Sequence, residues 1–225
     1  MNMLLKNKKD IEAWLNQYNI SNYELIKNKE YGYIVNVNGN VYLSSKELKS
    51  IDVKFNIING SFYCANNELK SLNGSPCLVR GCFDCSHNDL ILLKDAPLKV
   101  ESSFYCNDNE LTSLENSPQT INGDYYCYSN HLISLSGCPK IVNGMFDCNS
   151  NLLTLEGLKD LPEIIENFFY CENNKKLDDL QYISDFKKFK NKLEEILKIK
   201  KEQENLLNII SKKEDLNKNI NINKI

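Results

Sequence analysis

No apolar stretch of the chain reaches the roughly 18 residues that a membrane-crossing helix needs, so no membrane span is expected. The opening MNMLLKNKKD holds too short an apolar core for a secretory signal. The expected location is therefore the cytoplasm of whatever cell makes the protein. A phosphate-cradling G-x-x-x-x-G-K-S/T, a G-x-G-x-x-G, a G-x-S-x-G and an H-E-x-x-H are all missing. Histidine is scarce, with 2 in 225 residues. Carboxylates are plentiful, yet none is set with a base and a nucleophile. These absences argue against an enzyme, and no cofactor or metal is expected.

Cysteine, in contrast, is abundant and regular. Cys64, Cys85, Cys106, Cys127, Cys148 and Cys171 follow one another at intervals of 21, 21, 21, 21 and 23 residues. A period in this range marks a solenoid, in which each coil touches only its neighbours. Aligned on the cysteines, an aromatic or Val stands two residues earlier: Val41, Phe62, Phe83, Phe104, Tyr125, Phe146, Phe169. An Asn stands three residues later (Asn67, Asn88, Asn109, Asn130, Asn151, Asn174), with Lys46 in the first unit. Leu follows two residues on, then usually another Leu or Ile, then often Pro and a Val or Ile. Leu43 occupies the cysteine slot of the first unit, giving about seven units between Gly39 and Leu180.

Aromatic-x-Cys is period-two alternation, so both side chains point into the core from one short strand. The Asn is suited to satisfy backbone groups where the chain turns. Pro and Gly bend the return path and keep it from becoming a helix. A single coil cannot bury its apolar side, whereas stacked coils can, with parallel strands about 4.8 Å apart.

The nine cysteines raise the question of disulfides or a metal. Six fall at an inward strand position, where Cys acts as a small buried hydrophobe. Neighbours along a ladder are poorly placed for bridging, and a leaderless chain sits in a reducing compartment. Cys82 and Cys85 form a C-x-x-C, but alternation sends Cys82 outward and Cys85 inward. His87 and His131 lie two repeats apart, about 10 Å or more, too far for a shared metal.

The frame F-x-C-x-x-N-x-L-x-S-L-x-x-x-P resembles the leucine-rich repeat, with Cys replacing the Leu before the Asn. Its short unit is similar to the repeats of bacterial leucine-rich effector proteins. The resemblance is closer to the intracellular leucine-rich-repeat proteins of tailed bacteriophages and other large DNA viruses, which often begin with a short helix such as IEAWLNQYNI. It covers roughly residues 10 to 180. It implies an α/β-solenoid: a leucine-rich-repeat-like horseshoe of about seven coils with a parallel sheet. It also implies a viral protein working in the host cytoplasm; with the Tyr/Asp strip described below and no catalytic set, the expected role is to bind and inhibit a host protein such as a defence component.

The ends read differently. Ile11, Trp14, Leu15 and Tyr18 have helical spacing, with Asp10 as N-cap, so a helix should cover the first coil. Asn38-Gly39 between Tyr31–Val37 and Val41–Leu43 predicts a hairpin and an antiparallel start to the sheet. No Gly or Pro lies between Ser184 and Lys213, predicting one long helix or two, whose first turns cap the last coil. The expected organisation is a cap over 1–38, a solenoid over 39–180, a helical extension over 181–215 and a disordered tail over 216–225. The C-terminal helices are a route to a homo-oligomer.

Charge is uneven. Residues 60–166 carry 6 basic against 14 acidic side chains, net −8, and residues 186–225 carry 11 against 6, net +5. An acidic solenoid is a poor surface for phosphate backbones, so nucleic acid is not expected. The residues between each aromatic and its cysteine are Tyr42, Tyr63, Asp84, Tyr105, Tyr126, Asp147 and Tyr170. Alternation places them on the opposite face of the sheet, which the horseshoe makes concave. The residue after each cysteine shares that face, Tyr128 among them. A strip of exposed tyrosines edged by acids predicts a protein-binding patch.

Overall fold

The computed structural model describes residues 4–174, 177, 180 and 182–222, the last ten of these for their backbone alone. The chain divides into two compact units, Met1–Ser184 and Asp185–Ile225. The first unit is a β-solenoid of short coils that opens with helix α1 (Lys8–Gln17). The coils are built from β1 (Tyr23–Asn28), β2 (Gly32–Val37), β3 (Val41–Tyr42), β4 (Phe55–Ile58), β5 (Phe62–Tyr63), β6 (Leu78–Val79), β7 (Phe83–Asp84) and β8 (Lys99–Val100). They continue through β9 (Phe104–Tyr105), β10 (Thr120–Ile121), β11 (Tyr125–Tyr126), β12 (Ile141–Val142), β13 (Phe146–Asp147), β14 (Ile164–Ile165) and β15 (Phe169–Tyr170).

Each coil contributes to two sheets. The aromatic-x-Cys segments form a parallel sheet of seven strands, from β3 at one edge to β15 at the other. The Val/Ile segments, expected only to fill the return path, form a second sheet in the order β1-β2-β4-β6-β8-β10-β12-β14. The reason lies in the pleat. Val79, Val100, Ile121, Val142 and Ile165 point inward from two-residue strands, and their backbone groups pair with the coils on either side. The core is the slab between the sheets.

Stacked columns fill that slab, among them buried leucines, one column of aromatics, one of cysteines and one of asparagines. Phe55, Phe62, Phe83, Phe104, Tyr125, Phe146 and Phe169 form a continuous aromatic stack, with ring centroids 5.2–5.8 Å apart. All are fully buried. The ladder cysteines are buried beside them and are free thiols. Several donate along the ladder: Cys85 Sγ to the carbonyl of Tyr105 (3.3 Å), Cys106 to Tyr126 (3.4 Å) and Cys148 to Tyr170 (3.2 Å). A Leu at this slot would bury more apolar surface but could make no such bond. Burial pushes the Cys106 and Cys171 thiols up to about 12 and holds Cys85, Cys127 and Cys148 well above the ordinary thiol value. They are protonated, inert core groups.

The asparagines form a column of their own. Asn109 Nδ2 reaches the carbonyls of Cys85 (3.1 Å), Cys106 (3.2 Å) and Asn107 (3.2 Å), while its Oδ1 accepts from the Leu90 amide at 3.0 Å. The same pattern recurs at Asn88, Asn130, Asn151 and Asn174. One side chain thus satisfies the turn of its own coil and locks the coil before it. The residue just ahead of each Asn, and Ser45 ahead of Lys46 in the first coil, has a left-handed backbone: Ser45, Asn66, His87, Asp108, Ser129, Ser150 and Asn173, with φ between 51° and 58°.

The corners explain the glycines. A Cβ on Gly60 would meet the backbone of Gly39 at 2.6 Å, and one on Gly144 the carbonyl oxygen of Gly123 at 2.5 Å. Coils can stack that closely only if the column is small. The coil with two extra residues takes them up in a single 3-10 turn, Glu156–Leu158, which returns Leu158 to the core.

At the N-terminal end, α1 starts earlier than expected. Its N-cap is Asn7, whose Oδ1 accepts from the Asp10 amide at 2.9 Å, so Asp10 lies in the first turn instead. Ile11, Trp14 and Leu15 are buried, and Trp14 sits edge-on to Phe55 at 6.2 Å, covering the first coil. The antiparallel start exists, but the hairpin joins β1 to β2. Asn38-Gly39 makes the corner from β2 to β3, because β2 already pairs in parallel with β4 and belongs to the coil frame. The second unit is one long helix, α2 (Phe186–Ile222). Residues 216–222, read as tail, continue that helix, since no Pro or Gly interrupts it; 223–225 lie outside the described residues. No helix among the described residues is long and apolar enough to cross a membrane.

Candidate functional site

With both inner faces closed by core, the outer face of the aromatic-x-Cys sheet is where side chains of this sheet are free to act. Pairing in register brings Tyr42 beside Tyr63, Tyr63 beside Asp84, Asp84 beside Tyr105, Tyr105 beside Tyr126, Tyr126 beside Asp147 and Asp147 beside Tyr170. All the tyrosines and aspartates expected between an aromatic and its cysteine are therefore brought into one row. The row has its own rhythm: two tyrosines, an aspartate, two tyrosines, an aspartate, a tyrosine.

The tyrosine pairs are stacked flat. Tyr42 and Tyr63 lie 5.5 Å apart with ring planes 9° from parallel, and Tyr105 and Tyr126 lie 5.0 Å apart at 8°. Tyr128, from the next outward column, meets Tyr126 edge-on at 6.3 Å. Such pairs hold each ring in one orientation, so little side-chain entropy remains to be lost when something packs on them. Burial pushes the hydroxyl of Tyr126 up to about 12, helped by Asp124, and raises those of Tyr105 and Tyr128 as well.

The carboxylates are held from below. Asp84 Oδ1 accepts from the Ser86 amide at 3.0 Å and the Ser86 hydroxyl at 2.6 Å. Asp147 Oδ1 accepts from the Asn149 amide at 3.0 Å. Asp147 is half-buried, and desolvation raises its carboxyl pKa. Asp124 and Asp108 were not anticipated on this face. Asp124 accepts from the Tyr126 hydroxyl at 3.5 Å, and Asp108 faces His87 Nε2 at 3.4 Å. Extending the alternation one step back from the tyrosine column would have found Asp124; Asp108 is brought round by the left-handed backbone at its own position. Across all seven coils, residues 40–45, 61–66, 82–87, 103–108, 124–129, 145–150 and 168–173 include no Lys or Arg. The face is aromatic and anionic, and its own strands supply no fixed cation.

Other features carry less chemistry. A cleft of about 670 Å³ is lined by Lys49, Asp52, Glu68, Lys70 and Asp89 among others, but its charges are of both signs and Lys49 already pairs with Glu68 at 3.6 Å. His131 pairs with Glu110 at 2.9 Å, away from His87. No group of three or more His, Cys, Asp or Glu is arranged to hold a metal among the described residues. Compared with protein families, with curated proteins and with solved structures, the chain matches none.

Proposed function

We propose that this protein is a non-enzymatic binding module whose partner is another protein, held on the face formed by Tyr42, Tyr63, Asp84, Tyr105, Tyr126, Tyr128, Asp147 and Tyr170. The observation that carries this reading is the pre-stacked tyrosine row itself. It offers rigid amphipathic area at low entropic cost, which is what protein interfaces favour. The repeat frame resembles that of intracellular phage leucine-rich-repeat proteins. On that resemblance the partner is a host protein, such as a defence component, bound and blocked in the host cytoplasm. Tagged protein with Tyr63, Tyr105 and Tyr126 all changed to Ala should lose a partner that the wild type retains from host extract, while keeping the wild-type circular dichroism spectrum. Undiminished capture by that variant would sink the reading.

A second reading has its own observation. Helix α2 exposes Ile199, Leu206, Leu207, Ile209 and Ile210, each at least 47% accessible. Ile199, Leu206 and Ile210 fall on one stripe of the helix. That stripe supports self-association through the C-terminal helix. Light scattering on the full chain and on a version ending at Lys192 decides it: an oligomer that becomes monomeric on truncation supports this reading, and a monomeric full chain removes it.

A further inference from the structure

The order of residues along the tyrosine row carries more than a general taste for protein. Asp84 and Asp147 are separated by three parallel-strand steps, through Tyr105 and Tyr126. At about 4.8 Å per step the two carboxylates stand about 14 Å apart along the solenoid axis. An extended peptide rises about 3.3 Å per residue, so about four residues span that distance, and an even number returns the side chain to the same face. The middle residue of the span then lies over the flat Tyr105–Tyr126 pair, and the residue two before the first contact lies over the Tyr42–Tyr63 pair.

Charge selects what those contacts are. The outer face holds Asp84, Asp108, Asp124, Asp147 and Glu172 and no Lys or Arg; the first four lie within residues 60–166, of net charge −8. The amide and hydroxyl bonds to Asp84 and Asp147 use Oδ1 in each case, and a carboxylate with one oxygen so held can still accept through the other. An arginine guanidinium can give two N–H groups to a carboxylate and lay its plane on a neighbouring tyrosine, which a lysine ammonium cannot do as well.

We infer that the row is a docking track for an extended, arginine-bearing segment of a partner protein, laid across the strands with two arginines four residues apart over Asp84 and Asp147. This rests on the protein-binding reading above and names the chemistry of the partner. The segment binds by its side chains and adds no strand, so it runs along the solenoid axis, across the strands and not parallel to them.

Calorimetric titration of the full chain with synthetic peptides tests it. The probes are one peptide with arginines four residues apart, one with them two apart, and one with glutamate at both positions. The four-residue spacing should bind about tenfold tighter than the two-residue spacing, weaken as salt is raised, and lose about tenfold on Asp84→Asn with Asp147→Asn; the glutamate peptide should not bind. Equal affinity for both arginine spacings, or no binding of either, overturns the inference. The spacing comparison uses wild-type protein, so it stands even if the double variant folds poorly. If the peptides fail while the triple-Tyr variant still loses a captured partner, the arginine track is wrong and the binding face is not.

Discussion

The asparagine three residues after each cysteine shows how one side chain can hold a coil. Asn109 is buried, donates toward three carbonyls and accepts one amide from the preceding coil. Asn109→Ala should cost about 2–4 kcal/mol, because it strands several buried backbone groups at once. Asn109→Asp is nearly isosteric but turns the donor into a second acceptor facing three carbonyl oxygens, so it should be at least as destabilising. Urea midpoints of the two variants check this; an Asp variant close to wild type would refute the account of the ladder. The sequence repeat made this Asn visible, and its turn-forming character was legible from residue type. The link to the preceding coil was not, since it exists only once coils stack. Tyr125 is a related case. Its hydroxyl lies 2.7 Å from Ser117 Oγ inside the core, whereas two coils earlier the equivalent positions hold Ser75 and Phe83, and the buried Ser75 hydroxyl has no hydrogen-bond partner.

Asp147 is a residue whose protonation couples to folding. Desolvation, the largest influence on it, raises its carboxyl above the ordinary 3.8. The folded protein therefore binds that proton more tightly than the unfolded chain does. The stabilisation is full below the unfolded value and is lost as pH rises through the raised folded one. Asp147→Asn should consequently be more stable than wild type near about pH 7, and the difference should shrink toward about pH 4. The variant keeps an Oδ1 to accept the Asn149 amide. Denaturation midpoints at the two pH values measure it, and a variant less stable than wild type at neutral pH would contradict the assignment.

Elements in this protein are very short, most strands being two residues long, so their stability lies between coils and not within them. The seven left-handed residues at this turn, one in each coil, are the strained points of that design. Ser129, at φ 51°, should accept Gly without loss, while Ser129→Val should cost about 1–2 kcal/mol because a branched Cβ is hardest to place there. Equal thermal midpoints for the two variants would remove backbone conformation as the constraint. Residue types in that column (Ser, Asn, His, Asp) carried a faint signal of it. The second sheet left a fainter one. A Val or Ile marked its inward position, but a two-residue strand has no alternation to read, and it becomes a strand only through its neighbours. The Asn-Gly pair was legible as a turn; that it turns between sheets and not between hairpin strands follows from β2 already being committed to the coil frame.

At the scale of the molecule, the repeat made the solenoid legible before any coordinates, because a period near 21 residues with inward aromatic and cysteine columns has few other ways to bury its apolar side. The candidate face was legible for the same reason: alternation assigned the tyrosines and aspartates outward from the residues flanking each cysteine. What stacks with what, and the absence of any fixed cation along the face, became plain only with the strands in register.

The central claim is that this face is the working surface. Tyrosine-selective iodination of the protein in buffer and in extract of the cells in which it is proposed to act, read by mass spectrometry, tests it most directly. Protection in extract at Tyr42, Tyr63, Tyr105, Tyr126 and Tyr170, with Tyr23, Tyr33 and Tyr182 unchanged, is the predicted result. Equal reactivity of the row in both conditions, or protection confined to the other tyrosines, would contradict it.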